Sequence, residues 1–560
     1  MKRLPGRPSL DHLKKQAKDL LALYRSRSPD AIARFRSDLP AAAGRDDQAI
    51  QGLGLRLHDA QSCVAREYGF SSWADLKIFL EARAASLADG AALALGWSQL
   101  VYAGDIAGTA NRARPSVAAR ILEETPGLPG DDPYLACAAG EEAILRRAVS
   151  RDPGWVNRAG GPLNLPPLVA VTHSSLLQLP RHGERLRACA RSLLQAGADP
   201  NQSVGSRWEP ASLSEPSKTF RLSALYGAAG QNHDPELTKL LLATGADPNG
   251  GESLYHSLES IACTRLLLEA GGRIAGSNAL YRVLDLDSPD ALLLLLAHGA
   301  DPNELAGGPP TADWGTPLLW AIRRRRSPAH ILALLEAGAD PTAKTPDGAS
   351  AYTLALRFGL PGVADLLEQA GTARRVPTED QFIAACAQGD EATARRIQSE
   401  RPDLPGALSE TQLRLLPELA AQGCGEAVQV MVRLGWPIAV RGGDWNASAL
   451  NHAVFRGEAG LARFLLEHGA SWQEQHGHGD NACGTLSWAS CNEPVEGGDW
   501  LGCAEALVAH GMPAAQPDPA GTDSVLIGGH RKWLSDEVRE YLLSESAARN
   551  AAASRAAGQA

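Results

Sequence analysis

The densest grouping of metal-binding side chains in the sequence is His476-Gly477-His478-Gly479-Asp480, followed by Cys483, Cys491 and Cys503. Imidazole, carboxylate and thiolate are ligands zinc takes, yet structural zinc sites pair their cysteines roughly two to four residues apart. Here the spacings are eight and twelve residues. Cys503 also opens an apolar run, Cys503-Ala504-Glu505-Ala506-Leu507, that reads as helix core. Asp480 to Ala489 reads as a turn and a helix start, with Gly484-Thr485-Leu486 at the cap. No metal is expected. The sequence contains no Gly-x-x-x-x-Gly-Lys-Ser/Thr for phosphate, no His-Glu-x-x-His for a catalytic metal and no Gly-x-Ser-x-Gly for a nucleophile. The acidic pairs Glu123-Glu124 and Glu493 with Glu496 lack a defined partner. No catalytic residue and no cofactor is expected, and the chain reads as a non-enzyme.

The remaining candidates recognise rather than react. Arg323-Arg324-Arg325-Arg326 is a run that could grip an acidic partner, although such a run is commonly a solvated turn. Six of the twelve tryptophans lie between 436 and 533, namely Trp436, Trp445, Trp472, Trp488, Trp500 and Trp533. Exposed Trp and Arg are the residues that anchor interfaces. The competing reading is that each tryptophan packs between neighbouring loops.

Side chains of this kind act only from fixed positions, and a repeated segment supplies such positions. Leu193-Leu194-Gln195-Ala196-Gly197-Ala198-Asp199-Pro200-Asn201 returns at 241–249 and 295–303, and without the final Asn at 334–341. Weaker copies surround Gly271, Gly469 and Gly511. The leucine pair ends an amphipathic helix, and the glycine supplies the left-handed residue that stops it. Asp-Pro-Asn cannot continue a helix and turns the chain outward. Upstream lies a second signature, clearest in Asp313-Trp314-Gly315-Thr316-Pro317-Leu318-Leu319-Trp320-Ala321. Thr316 suits a helix N-cap and Pro317 the first helical position. Ala449-Leu450-Asn451-His452-Ala453-Val454-Phe455-Arg456-Gly457 is another copy, and Gly140, Gly359, Gly389, Gly423 and Gly457 mark the turn between the two helices of a unit.

Turn, short helix, glycine, longer helix, glycine and outward loop together resemble the ankyrin repeat of about 33 residues. The head, with Leu-Lys-Lys-Gln-Ala-Lys-Asp-Leu-Leu at 13–21 and Ala-Arg-Glu-Tyr-Gly-Phe-Ser-Ser-Trp-Ala-Asp-Leu-Lys at 65–77, looks like the helical leader of many bacterial ankyrin-repeat proteins. The resemblance implies an all-α ankyrin-repeat solenoid with outward β-hairpin-like finger loops, preceded by a small helical N-terminal domain. About twelve diverged repeats span 94–516, with residues 202–220 as an insertion on an exposed face. It further implies a cytoplasmic bacterial setting, and a rigid extended surface of this kind reads as a protein-protein interaction scaffold whose finger loops and concave helices bind a protein partner. Trp314, Trp320, Arg323, Arg324, Arg325, Arg326, Trp445, Asn446 and Trp472 are the candidate partner-binding residues.

Outside the repeats, residues 1–85 form the N-terminal domain. Ser9 caps a helix bearing Leu10, Leu13, Ala17, Leu20, Leu21 and Tyr24 on one face, and Ser28-Pro29-Asp30 opens a second. A third spans about 57–68 to the stop at Gly69, and a fourth carries Trp73, Leu76, Phe79 and Leu80. Gln61, Ala65 and Gly69 have the spacing of a helix-turn-helix, which makes a DNA-binding regulator through 57–82 the alternative function. The fourth helix balances Asp75 and Glu81 against Lys77 and Arg83, and so lacks the positive charge that phosphate attraction needs. Of the net charge of −10, residues 1–85 carry +5 and the remainder −15, so the long body should repel nucleic acid while the head is mildly basic. Residues 517–543 are expected to cap the array with one helix, and 544–560 to be a frayed tail. Nine irregularly spaced cysteines fit a reducing compartment, and neither a signal peptide nor a membrane span is legible. A cytoplasmic monomer is the expectation.

Overall fold

The structure, a computed structural model, describes all residues except 1, 6–7, 87–89, 110–111, 308–314, 373–374, 520–523 and 558–560. It is predominantly helical, with strands confined to short antiparallel pairs and one three-stranded sheet. The chain divides into two compact units, Met1–Leu286 with Ala297–Gly299, and Asp287–Leu296 with Ala300–Ala560.

The first unit opens with α1 (Leu10–Arg25), whose buried residues Leu13, Ala17, Leu20, Leu21 and Tyr24 are the stripe read from the sequence. Helix α2 (Pro29–Asp38) starts at Ser28-Pro29, and α3 (Leu57–Glu67) and α4 (Trp73–Ser86) flank Gly69. Both α1 and α2 pack on α3, and α4 packs on α5 (Pro115–Glu124). Helix pairs follow, α6 (Pro133–Ala139) with α7 (Glu142–Arg151), then α8 (Pro167–Thr172) with α9 (Pro180–Gln195). Helix α6 packs on α8 and α7 on α9, so each helix meets its counterpart in the next pair. Strands β1 (Ser203–Gly205) and β2 (Arg221–Ser223) pair antiparallel around the inserted segment.

In the second unit the pairs relevant here are α10 (Pro317–Arg323) and α11 (Pro328–Glu336), α12 (Leu415–Ala421) and α13 (Gly425–Arg433), α14 (Ala449–Arg456) and α15 (Ala459–Glu467), and α16 (Ala482–Asn492) and α17 (Trp500–Ala509). Helices α12, α14 and α16 pack in one row, and α13, α15 and α17 in a second. Between α13 and α14, β3 (Arg441–Gly442) and β4 (Ala447–Ser448) make a hairpin.

Two devices repeat through the pairs. The first is the helix stop. Gly338 has φ +95°, and Ala339 N–H donates to Leu334 O at 2.9 Å, the six-to-one bond that closes a helix on a left-handed residue. Gly469 repeats it, with φ +99° and Ala470 N–H on Leu465 O at 3.0 Å. The second is a brace from the asparagine of Asp-Pro-Asn to the next unit. Asn303 Nδ2 donates to Gly338 O at 2.9 Å, and its Oδ1 accepts from Asp340 N–H at 2.8 Å. Asn201 bonds Gly245 O and Asp247 N–H in the same way, as Asn157 does Gly197 O and Asp199 N–H. The tripeptide therefore links neighbouring helix pairs as well as turning the chain, and Asn157 makes the same link without the Asp-Pro before it.

Four sequence expectations need correction. The helix near 485 begins at Ala482 on an Asn481 cap, so Thr485 lies inside it and donates to Asn451 Oδ1 at 2.8 Å rather than capping. The insertion is not simply a surface loop, since Ser206 and Arg207 are buried against the first unit. Beyond α17 a sheet of β5 (Gln516–Pro517), β6 (Ser524–Ile527) and β7 (His530–Trp533) precedes the last helix. That helix, α18, runs Asp536–Ala557 instead of stopping near 543, as the high helix propensity of its alanines allows.

Candidate functional site

The four arginines that begin at the end of α10 are all engaged. Arg323 keeps 2 % of its side chain exposed and bridges Glu418 of α12 at 3.0 Å and Asp444 of the β3–β4 loop at 2.6 Å. Arg324 reaches the other oxygen of Asp444 at 2.7 Å, and its guanidinium lies 4.2 Å from the Trp320 ring centroid. Arg325 donates to Phe358 O, and Arg326 pairs with Asp287 at 2.8 Å and donates to Arg324 O. Trp320 is only 1 % exposed. Neither Trp320 nor Arg323 offers a free surface. Arg323 and Arg324 are the cationic half of an internal ion cluster, whereas Arg325 meets a backbone carbonyl and Arg326 an exposed carboxylate. The acids that meet Arg323 and Arg324 come from 95 to 120 residues downstream, which is why the sequence alone did not show them.

This cluster holds the β3–β4 hairpin. Glu418 Oε1 accepts from Gly443 N–H at 2.9 Å, so a buried carboxylate joins Arg323 to the hairpin backbone. Burial alone pushes Asp444 upward, but Arg323 and Arg324 outweigh it and hold its carboxyl below the ordinary value. His452 of α14 lies behind the hairpin, with Nε2 3.2 Å from Gly442 O, and burial lowers its pKa to about 4.

The hairpin carries Trp445 and Asn446. Asn446 is exposed in a left-handed conformation, φ +49°. Trp445 is half-buried, and its ring meets His452 at 4.8 Å, His476 at 5.0 Å and Phe455 at 5.7 Å between centroids. Phe455 in turn stacks on Trp488 of α16 at 5.5 Å with the planes 8° apart. Trp488 is 51 % exposed. Trp445, Phe455 and Trp488 thus form one continuous aromatic rail from the hairpin across two helix pairs. Trp472 stands apart from these ring contacts, half-buried, with its carbonyl accepting from Ala482 N–H. Trp314 lies outside the described residues.

Phe455 escaped the sequence reading although a signal was present. Counted from the N-caps Ser448 and Asn481, Phe455 and Trp488 hold the same position, and Arg323 holds it from Thr316. A row of equivalent positions is therefore either ionic or aromatic. The misplaced cap at 485 put Trp488 out of register with Phe455.

The His476–Asp480 loop spends its donors on itself. Asp480 pairs with Lys532 at 2.6 Å, His476 Nδ1 accepts from His478 N–H, and burial pushes the Cys483 thiol up to about 11. Among the described residues one group of potential ligands converges, Asp38, Cys63 and Glu67, with ligand atoms within 4.8 Å. Both Glu67 oxygens are taken, by Arg34 at 2.5 and 2.9 Å and by Lys2 at 2.6 Å, and burial raises the Cys63 thiol to about 12. A cation there would have to displace two resident cations.

Helix α4, the candidate DNA reader, is covered. Trp73, Leu76, Phe79 and Leu80 are buried, Asp75 pairs with Arg114 at 2.9 Å, and Arg83 pairs with Glu124 of α5 at 3.0 Å. Arg120 of α5 lies over Phe70 at 4.1 Å. No described helix is long and apolar enough to cross a membrane. Neither a family model nor a curated protein matches the chain.

Proposed function

We propose that this chain is an ankyrin-repeat scaffold of a reducing, cytoplasmic setting that binds a protein partner and catalyses no reaction of its own. The paired helices, the glycine stops and the asparagine brace between units support the ankyrin reading. The observation that carries the binding reading is the rail. Trp445, Phe455 and Trp488 are in ring contact, preorganised by the hairpin and by two packed helices, and Trp488 is half exposed. A rigid aromatic surface loses little side-chain entropy on binding and anchors an interface at few positions. Asn446 at the hairpin tip supplies a polar neighbour to the rail. Trp320 and Arg323 act behind this surface by fixing the hairpin.

The alternative, a DNA-binding regulator acting through 57–82, draws no support from the geometry, because α4 spends its apolar face and its Arg83 on α5. The two readings are separated by capture from the native cytoplasm with the full chain and with the Trp445→Ala/Trp488→Ala variant. A discrete protein retained by the first and lost by the second is the expected result. Salt-sensitive retention of DNA by both, with no protein lost, would favour the regulator.

A further inference from the structure

The inserted segment 206–220 leaves the β1–β2 pair and runs back across the short helix Gly104–Ala107 of the first unit. Arg207 N–H donates to Asp105 O at 2.7 Å, and a side-chain carbon at Gly108 would sit 3.1 Å from Leu213 Cβ. Arg207 is 3 % exposed. Its guanidinium donates to the carbonyls of Ile106 and Leu163, its Nε has no acceptor, and it forms no ion pair among the described residues. A buried guanidinium satisfied by carbonyls alone is an unfavourable arrangement, since buried charges are ordinarily paired.

The turn beneath holds the complementary deficit. Asp105 Oδ1 is enclosed and accepts no hydrogen bond, and Oδ2 is 3.5 Å from the Tyr226 hydroxyl. The Tyr226 ring lies 5.7 Å from His173 and 5.1 Å from His256. The chain just after Tyr226, Gly227–Gln231, winds as a π-helix, a wide turn frequent at functional sites. Asp105 and Glu252 both act on Tyr226 and raise its pKa further after burial has done so, and no cation pairs with Asp105 among the described residues. Burial lowers the His173 pKa, and the Asp105 carboxylate acts against that shift. An unpaired carboxylate beside aromatic rings matches a guanidinium, which bonds carboxylates in its plane and stacks on rings with its face.

We propose that residues 206–220 are a strap closed over a cation site at Asp105, and that the site takes an arginine side chain of a partner when the strap lifts. In the closed form both the Arg207 guanidinium and the Asp105 carboxylate are left without a counter-charge. Lifting the strap returns Arg207 to water and opens Asp105 to the incoming cation, so the two deficits are relieved together. The site is separate from the aromatic rail and does not depend on it.

The test is hydrogen exchange of the full chain with N-acetyl-arginine methylamide, against the citrulline analogue, which is isosteric and uncharged. The arginine probe should speed exchange across 206–220 several-fold and the citrulline probe should not. Asp105→Asn should abolish the response at an unchanged melting temperature. Arg207→Met, which keeps the apolar stem without the charge, should slow strap exchange and raise the probe concentration needed. Replacing 208–219 by Gly-Gly should tighten arginine binding by about tenfold, because the competent state no longer has to be selected. Equal responses to both probes, a response that survives Asp105→Asn, or a strap-shortened chain that binds no arginine probe would each overturn the proposal.

Discussion

Arg323 sits between Glu418 and Asp444 with almost no exposure, and a cluster of this kind is energetically asymmetric. Forming it returns little beyond the desolvation it requires, whereas removing one member strands the others in a medium that solvates them poorly. Arg323→Met should therefore destabilise the second unit by about 3–5 kcal/mol, and Arg323→Met with Glu418→Gln should recover a large part of that loss, both read from urea unfolding. His452 gives a second prediction with a defined sign. Its folded pKa of about 4 lies below the ordinary histidine value. As pH falls from about 6.5 to 4, the unfolded chain takes up a proton that the folded chain refuses, and stability drops by an amount on the order of 3 kcal/mol. Asp444, also held low, adds a further loss below the ordinary carboxylate range, as its pairing with Arg323 and Arg324 is protonated away. His452→Gln should flatten the upper window and leave the lower one, measured as denaturation midpoint against pH.

At the scale of elements, the brace from Asp-Pro-Asn binds one helix pair to the next. Asn303→Ala removes a donor to Gly338 O and an acceptor from Asp340 N–H at a solvent-accessible loop, and should cost about 1 kcal/mol, with faster amide exchange at Asp340. Asn303→Asp keeps the acceptor and should retain part of the protection. Helix starts and stops were legible because they are local: the buried stripe of α1, the Pro317 start of α10 and the left-handed stops at Gly338 and Gly469 each follow from a few adjacent residues. The elements that escaped are set by distant contacts. The β5–β7 sheet has short strands, and β7 packs on α16 far upstream. Thr485 looked like a cap in isolation, but Asn481 bonds Cys483 N–H and takes that role, which frees Thr485 to reach Asn451. The candidate site was half legible for the same reason. Trp445 and Asn446 lie on a hairpin as expected, while the burial of Trp320 and Arg323 depends on acids about a hundred residues away.

Over the whole chain, the net charge of −10 is unevenly used. Many of the basic side chains are ion-paired to acids inside their own unit, as Arg323, Arg326, Arg357 and Arg401 are. Among the described residues Trp208, Trp488 and Trp533 are the exposed tryptophans, on the strap, the rail and the last strand respectively. The nine cysteines form no disulfide, which leaves packing and polar contacts to hold both units. The proposed recognition through the rail is tested most directly by site-specific photo-crosslinking in the native cells. A photoreactive residue at Trp488 is compared with one at Leu332 of α11, a residue of similar exposure in a pair away from the rail. A discrete protein adduct at 488 that disappears on Trp445→Ala, with none at 332, is the expected result. Equal adducts at both positions, or a 488 adduct indifferent to Trp445, would contradict binding through the rail.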